Sequence, residues 1–241
     1  MVLLAVPIGE NDRRVVLLTT ERGNISAFAK GARRQNSSLL AAAAPFSFGT
    51  FYFYEGRSAY SLVQADISNY FSELHTDFEA AYYGMYLMEF ADYYARENED
   101  GTQMLNLLYV SLKALVRGNM EKELVRYIYE LKAMVINGEY PQVFSCVCCG
   151  REEELSAYWP AREGLVCAKC GAGQQGLVHI SGSSVYTLQY IVSVPLGKLY
   201  SFTVTQEVFA EIKMVMERFK NIHIDKKFKS LEVLQSMRLL T

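Results

Sequence analysis

The run Val15-Val16-Leu17-Leu18-Thr19-Thr20, broken by Glu21-Arg22-Gly23 and resumed as Asn24-Ile25-Ser26-Ala27-Phe28-Ala29-Lys30, governs how the front of this 241-residue chain is read. Apolar and β-branched residues on both sides of a short break that holds a glycine predict two strands joined by a turn. Outward from this pair, Val2 to Val6 lies beyond the break Gly9-Glu10-Asn11-Asp12. Phe48 to Tyr54 and Tyr60 to Gln64 follow, parted by Glu55-Gly56-Arg57. Five short strands, with one longer excursion (Ala32 to Pro45) between the third and fourth, fit a small closed or partly closed barrel. The OB-fold is the commonest such solution, and an SH3-like barrel reads almost the same.

After Ala65 the apolar period changes from two to about 3.6, so the expected organisation is a barrel over residues 1–65 and a helical domain over 66–241. Asp77 to Arg96 is apolar nearly all round and predicts a buried central helix. Met104 to Val116 and Glu121 to Val135 follow, the latter with Leu124, Ile128, Leu131 and Val135 on one stripe and Asn119 as expected N-cap. Ser181 to Val194 and Gln206 to Asn221 complete the set, with Thr205 capping the second.

Composition supports a sizeable core: 51% of residues are hydrophobic, 21% charged and 13% aromatic, which excludes a disordered or fibrous chain. The net charge of −2 excludes a polycation that binds nucleic acid over its whole surface. Locally the balance differs, because residues 1–65 hold seven Arg and Lys against four acids and the remainder is acidic. Met1 to Glu10 lacks the basic start and the cleavage site of a signal peptide. Gln35 to Tyr54 is uncharged but too rich in polar residues, Pro45 and Gly49 for a membrane span. With four of five cysteines in paired spacing, a reducing cytoplasm and a metal site are expected rather than disulfides.

Those cysteines carry the sharpest chemical signal. Cys146-x-x-Cys149-Gly150 and Cys167-x-x-Cys170-Gly171 are separated by seventeen residues, the spacing of a structural zinc ribbon with four thiolates and no open position. The ribbon is expected over about residues 144–180, with Tyr158-Trp159-Pro160 and Gly164-Leu165-Val166 as its hairpin and a glycine of positive φ after each pair. Cys148 is left over and is assigned to packing.

A second cluster, Lys30-Gly31-Ala32-Arg33-Arg34, puts three cations and a glycine on a mobile loop at the end of a barrel strand, where they can follow a sugar-phosphate backbone. Phe51, Tyr52, Phe53 and Tyr54 alternate across the faces of a neighbouring strand, so one pair is available to stack on unpaired bases. Enzyme chemistry finds no foothold: there is no phosphate loop and no defensible triad, and His75, His179 and His223 are scattered. The run Glu97, Glu99, Asp100 reads as a solvated helix end.

Taken in order, Glu10-x-Asp12-Arg13, Thr20-x-x-Gly23, Ala29-Lys30-Gly31-Ala32-Arg33-Arg34, Pro45-Phe46, Gly56-Arg57, the cysteine pairs and Phe228-Lys229-Ser230-Leu231-Glu232 resemble the RecO family of bacterial recombination mediators over almost the whole chain. The resemblance implies an α+β protein, with an N-terminal OB-fold barrel followed by a helical domain that carries an inserted four-cysteine zinc ribbon. It implies binding of single- and double-stranded DNA and annealing of complementary strands without nucleotide hydrolysis. It also implies cytoplasmic, nucleoid-associated work with RecR, with single-stranded DNA-binding protein and, indirectly, with RecA during its loading. Carried over residue by residue, Lys30, Arg33 and Arg34 match the family's DNA-binding loop, Arg13 and Arg14 are further candidates, and Cys146, Cys149, Cys167 and Cys170 match the Zn2+ ligands. The first strand is expected to be short, which bears on closure of the barrel. The competing reading is a protein-binding adaptor without direct DNA contact.

Overall fold

The computed structural model describes residues 1–57 and 59–238. Five strands form the first sheet: β1 (Val2–Ile8), β2 (Asp12–Thr19), β3 (Gly23–Ala29), β4 (Phe48–Glu55) and β5 (Tyr60–Asn69). Their order is β1-β2-β3-β5-β4, with β3 and β5 parallel and the other neighbours antiparallel. β1 is not short: it runs seven residues and pairs with β2 as far as Ile8 opposite Asp12. Its start also meets the chain entering β4, since the Val2 N–H donates to Ser47 O at 2.9 Å and the Phe46 N–H to Val2 O at 3.1 Å. These bonds draw the sheet into a barrel of OB type.

Alternation fills the interior. Val2, Val15, Leu17, Ile25, Ala27, Ala29 and Leu62 face inward, with Phe51, Phe53 and Tyr60 packed against them. The excursion between β3 and β4 contains one helical turn, α1 (Leu39–Ala42), and its Leu39 belongs to the same core.

Three further helices complete the unit that contains the barrel, which spans Met1–Val116 and resumes at Phe228. α2 (Phe78–Tyr94) starts where Asp77 Oδ1 accepts the Ala80 N–H at 3.0 Å, and it is buried on most sides as its all-round apolarity predicts. α3 (Thr102–Arg117) follows after a loop buttoned to the β2–β3 turn. Asn98 N–H donates to Arg22 O at 2.9 Å and Gly101 N–H to Thr20 O at 3.0 Å. Gly23, at φ +59°, sits so close that an added Cβ would lie 2.1 Å from Arg96 O. The turn therefore admits only glycine. α8 (Lys229–Arg238) lies on α2, a helix that periodicity alone did not announce. Phe228 enters the aromatic group of Tyr86, Phe90 and Tyr93, and Ser230 Oγ donates to Glu89 at 2.8 Å.

The second unit, Arg117–Lys227, packs α4 (Lys122–Ile136), α6 (Gly182–Ser193) and α7 (Gln206–His223) around one another. Ser181 and Thr205 cap α6 and α7 through their hydroxyls. Asn119 does not cap α4: Glu121 occupies the N-cap position. Between α4 and α6 the chain makes β6 (Leu155–Trp159), β7 (Gly164–Cys167), the short helix α5 (Ala168–Gly171) and β8 (Val178–His179), with β6 central in a three-stranded sheet. Among the described residues no helix is long and apolar enough to cross a membrane.

Candidate nucleic-acid interface and metal centre

Lys30, Arg33 and Arg34 are all exposed on one loop at the end of β3. The loop is held rather than free. Asp12 Oδ1 accepts the Gly31 N–H at 2.7 Å, Asn11 O accepts the Arg33 N–H at 2.9 Å, and Arg33 Nη1 donates to Gly9 O at 3.0 Å. Gly31 at φ +68° makes the bend. The β1–β2 turn, which the sequence marked only as a break, is thus the support that fixes these cations. Asp12 was the available signal, since a carboxylate in a turn characteristically accepts backbone N–H groups.

Arg13 and Arg14 part company. Arg14 lies on the exposed side of β2, and its side chain makes no hydrogen bond or ion pair among the described residues. Arg13 has the parity of the inward residues Val15 and Leu17, and its Nη1 donates to Leu40 O at 2.8 Å and Ala43 O at 3.0 Å. A cation at the carbonyl end of α1 satisfies acceptors the helical turn leaves open, so Arg13 seats α1 at the barrel's end.

On β4 the alternation holds: Phe51 and Phe53 pack inward while Tyr52 and Tyr54 are exposed. A hydrogen bond to the Asp66 carboxylate raises the Tyr52 phenol above its ordinary pKa. The acid run lies exposed in the loop between α2 and α3. Asp100 Oδ1 accepts the Thr102 N–H at 2.8 Å at the start of α3, and Glu97 bridges to Gly23 in the clasp with the β2–β3 turn. The histidines remain apart; His223 ends α7 with Nε2 2.7 Å from a Glu163 carboxylate oxygen.

The four paired cysteines converge, with all sulfurs within 4.8 Å of one another. Cys146 N–H donates to Arg151 O at 2.7 Å and Gly150 N–H to Cys146 O at 2.8 Å, which closes the first knuckle with Gly150 at φ +74°. The second knuckle differs from expectation: Gly171 lies in the turn of α5, and the positive φ falls at Gly173. Gly164 brings the two halves together. A Cβ there would stand 2.4 Å from a Val147 methyl, while Val147 N–H donates to Leu165 O at 2.9 Å. Burial pushes the Cys146 thiol up, but N–H groups of Cys167, Cys148 and Cys149 outweigh it and bring it down to about 6. Hydrogen bonding with the Cys149 and Cys167 sulfurs pushes Cys170 up to about 12.

The donor set fits a tetrahedral ion. Thiolates about 2.3 Å from zinc would stand about 3.8 Å apart, and Cys149 Sγ and Cys167 Sγ are 3.9 Å apart. Cys148 is exposed and lies outside the cluster, so its assignment to packing fails. Its neighbour Cys149 is also exposed, but the Cys149 sulfur joins those of Cys146, Cys167 and Cys170.

Comparison with known proteins agrees with this architecture. Residues 1–71 match the family model described as Recombination protein O N terminal, and residues 75–232 that described as Recombination protein O C terminal. A DNA repair protein RecO of Alkaliphilus metalliredigens is 30% identical over 227 residues, covering 93% of this chain and 92% of the relative. Proteins of the same description from Acetivibrio thermocellus and Clostridium perfringens are each 28% identical, covering 98% and 99% of this chain and 95% and 96% of theirs. The two family models and these relatives place the chain among DNA repair and recombination proteins. The chain belongs to the RecO family.

Proposed function

We propose that the protein is a recombination mediator that binds single- and double-stranded DNA, anneals complementary strands, and helps load RecA onto strands coated by single-stranded DNA-binding protein, with RecR as a partner. The setting is the cytoplasm, in association with the nucleoid. The observation that carries this reading is the loop Lys30–Arg34, pinned by Asp12, Asn11 and Gly9 so that Lys30, Arg33 and Arg34 stay exposed at the rim of the barrel. Fixed cations neutralise phosphates without a large ordering cost, and lowering the repulsion between two polyanions lets complementary bases meet. Residues 1–65 serve as the DNA-binding domain, with Arg14 adding to the loop and Arg13 contributing through the seat of α1. Backbone contacts of this kind carry no sequence preference. The four cysteines hold Zn2+, which supplies a rigid cross-link within the ribbon.

The test is annealing of two complementary oligonucleotides, each precoated with single-stranded DNA-binding protein, without nucleotide. The protein is expected to accelerate annealing. Arg33→Glu with Arg34→Glu should weaken DNA binding by roughly tenfold or more and flatten its salt dependence, with fold and metal content intact. Unchanged affinity would remove the loop from the proposal. No acceleration, or a slope of log K against log salt near zero for the DNA binding that is seen, would leave the adaptor reading.

A further inference from the structure

The register of the first sheet lines up one transverse row across all five strands: Val6 opposite Arg14, Arg14 opposite Phe28, Phe28 opposite Ser61, and Ser61 opposite Tyr54. Parity places the whole row outside the barrel, because the flanking Ala5, Val15, Ala27, Leu62 and Phe53 face the core. Val6 is 44% exposed, Phe28 39% and Tyr54 68%. Neither the Phe28 nor the Tyr54 ring meets another aromatic ring among the described residues. Two open ring faces on a solvent-facing sheet gain the fold little.

The surroundings select the occupant. Neighbouring strands lie about 4.8 Å apart, so the small Ser61 leaves a gap of about 10 Å at the backbone between the Phe28 and Tyr54 strands, enough to seat a planar base against either ring. Arg14 stands beside Phe28 on one side, and Lys30 lies two residues along the same strand face, at the root of the basic loop. The acids near this face are spent or marginal. Asp12 holds the Gly31 N–H, Glu55 is 3.7 Å from Arg22, and Asp66 engages Tyr52 at the far edge. Ring faces with flanking cations suit a strand whose bases are unpaired; in a duplex the bases are already stacked on each other and only phosphates are offered.

We infer that the row Arg14, Phe28, Ser61 and Tyr54 is a base-stacking track for single-stranded nucleic acid, by which the barrel distinguishes unpaired strands from duplex. The inference rests on the DNA-binding function proposed above. It adds Phe28, which no sequence motif marks, and divides the work: the loop holds phosphates and the sheet holds bases.

The experiment compares binding of the full chain to an oligo-dT strand and to a blunt duplex across a salt series. Phe28→Leu and Tyr54→Leu keep apolar bulk and remove the ring; Phe28→Tyr keeps the ring. Each leucine variant should lose about 5- to 100-fold in affinity for oligo-dT, with duplex affinity and salt slope unchanged and the tyrosine variant close to the parent. If the leucine variants bind oligo-dT as the parent does, or lose single-strand and duplex binding equally, the track is overturned while DNA binding through the loop stands. If the parent binds neither probe, both proposals fall.

Discussion

Two cations that bind backbone carbonyls, Lys132 and Arg13, show how position decides the work of a side chain. Lys132, on α4, aims Nζ at Ile191 O (3.1 Å), Val192 O (2.9 Å) and Val194 O (2.7 Å), the carbonyls left open where α6 ends. Burial lowers its pKa, and the three acceptors repay that cost with charge-assisted bonds. Lys132→Met should remove about 2–4 kcal/mol of stability, since it leaves buried carbonyls unsatisfied; urea unfolding measures it, and a loss below a few tenths would deny Lys132 this role. Arg13 is the barrel's counterpart. The sequence put Arg13 and Arg14 together as cations on one strand start, and only the parity of β2 separates a residue that seats α1 from one that faces solvent. Neither role was legible, because each depends on carbonyls far away in sequence. The spacing of the metal ligands was legible, because a knuckle is a local structure.

At the level of elements, apolar and β-branched runs between turn residues located all five barrel strands, although β5 extends beyond Gln64 to Asn69 and β2 begins at Asp12. The ends drifted because polar residues pair in the ladder as well as apolar ones do. The helices of the second unit followed their apolar stripes, yet α4 also buries Arg126 and Glu130, which ion-pair with each other and, through Glu130, with Lys220 on α7 at 3.2 Å. Stripe arithmetic sends such charges to solvent; here they meet partners across the helix pair. The two-residue β8 carries too little pattern to be read. For the ribbon, Cys167→Ser should abolish stoichiometric metal binding and unfold the 146–170 segment while α4, α6 and α7 keep their far-ultraviolet signal. A variant that stays fully metallated and equally stable would refute the ligand set.

Over the whole molecule, the chain leaves the first unit after Val116, builds the second from Arg117 to Lys227, and returns at Phe228 to the first. Phe228 is the point of return, buried with Tyr86 at 5.3 Å and Phe90 at 5.5 Å between ring centroids. Phe228→Ala should cost about 3–5 kcal/mol in the unit that holds the barrel and leave the ribbon's metal content unchanged. A denaturant midpoint equal to the parent's would show that α8 adds nothing to that unit. This return was visible in the sequence only as a family resemblance, since a ten-residue helix with few buried positions has a weak stripe.

The same return has a consequence in time. On a chain emerging from the ribosome, every residue of the second unit is available before Phe228 is made, whereas the surface of α2 that receives Phe228 must wait, its rings Tyr86, Phe90 and Tyr93 uncovered, through the synthesis of more than a hundred residues. The segment that completes the core begun by the first strands is therefore translated only after the whole second unit, and a nascent protein stalled short of it presents an aromatic patch of the kind chaperones hold.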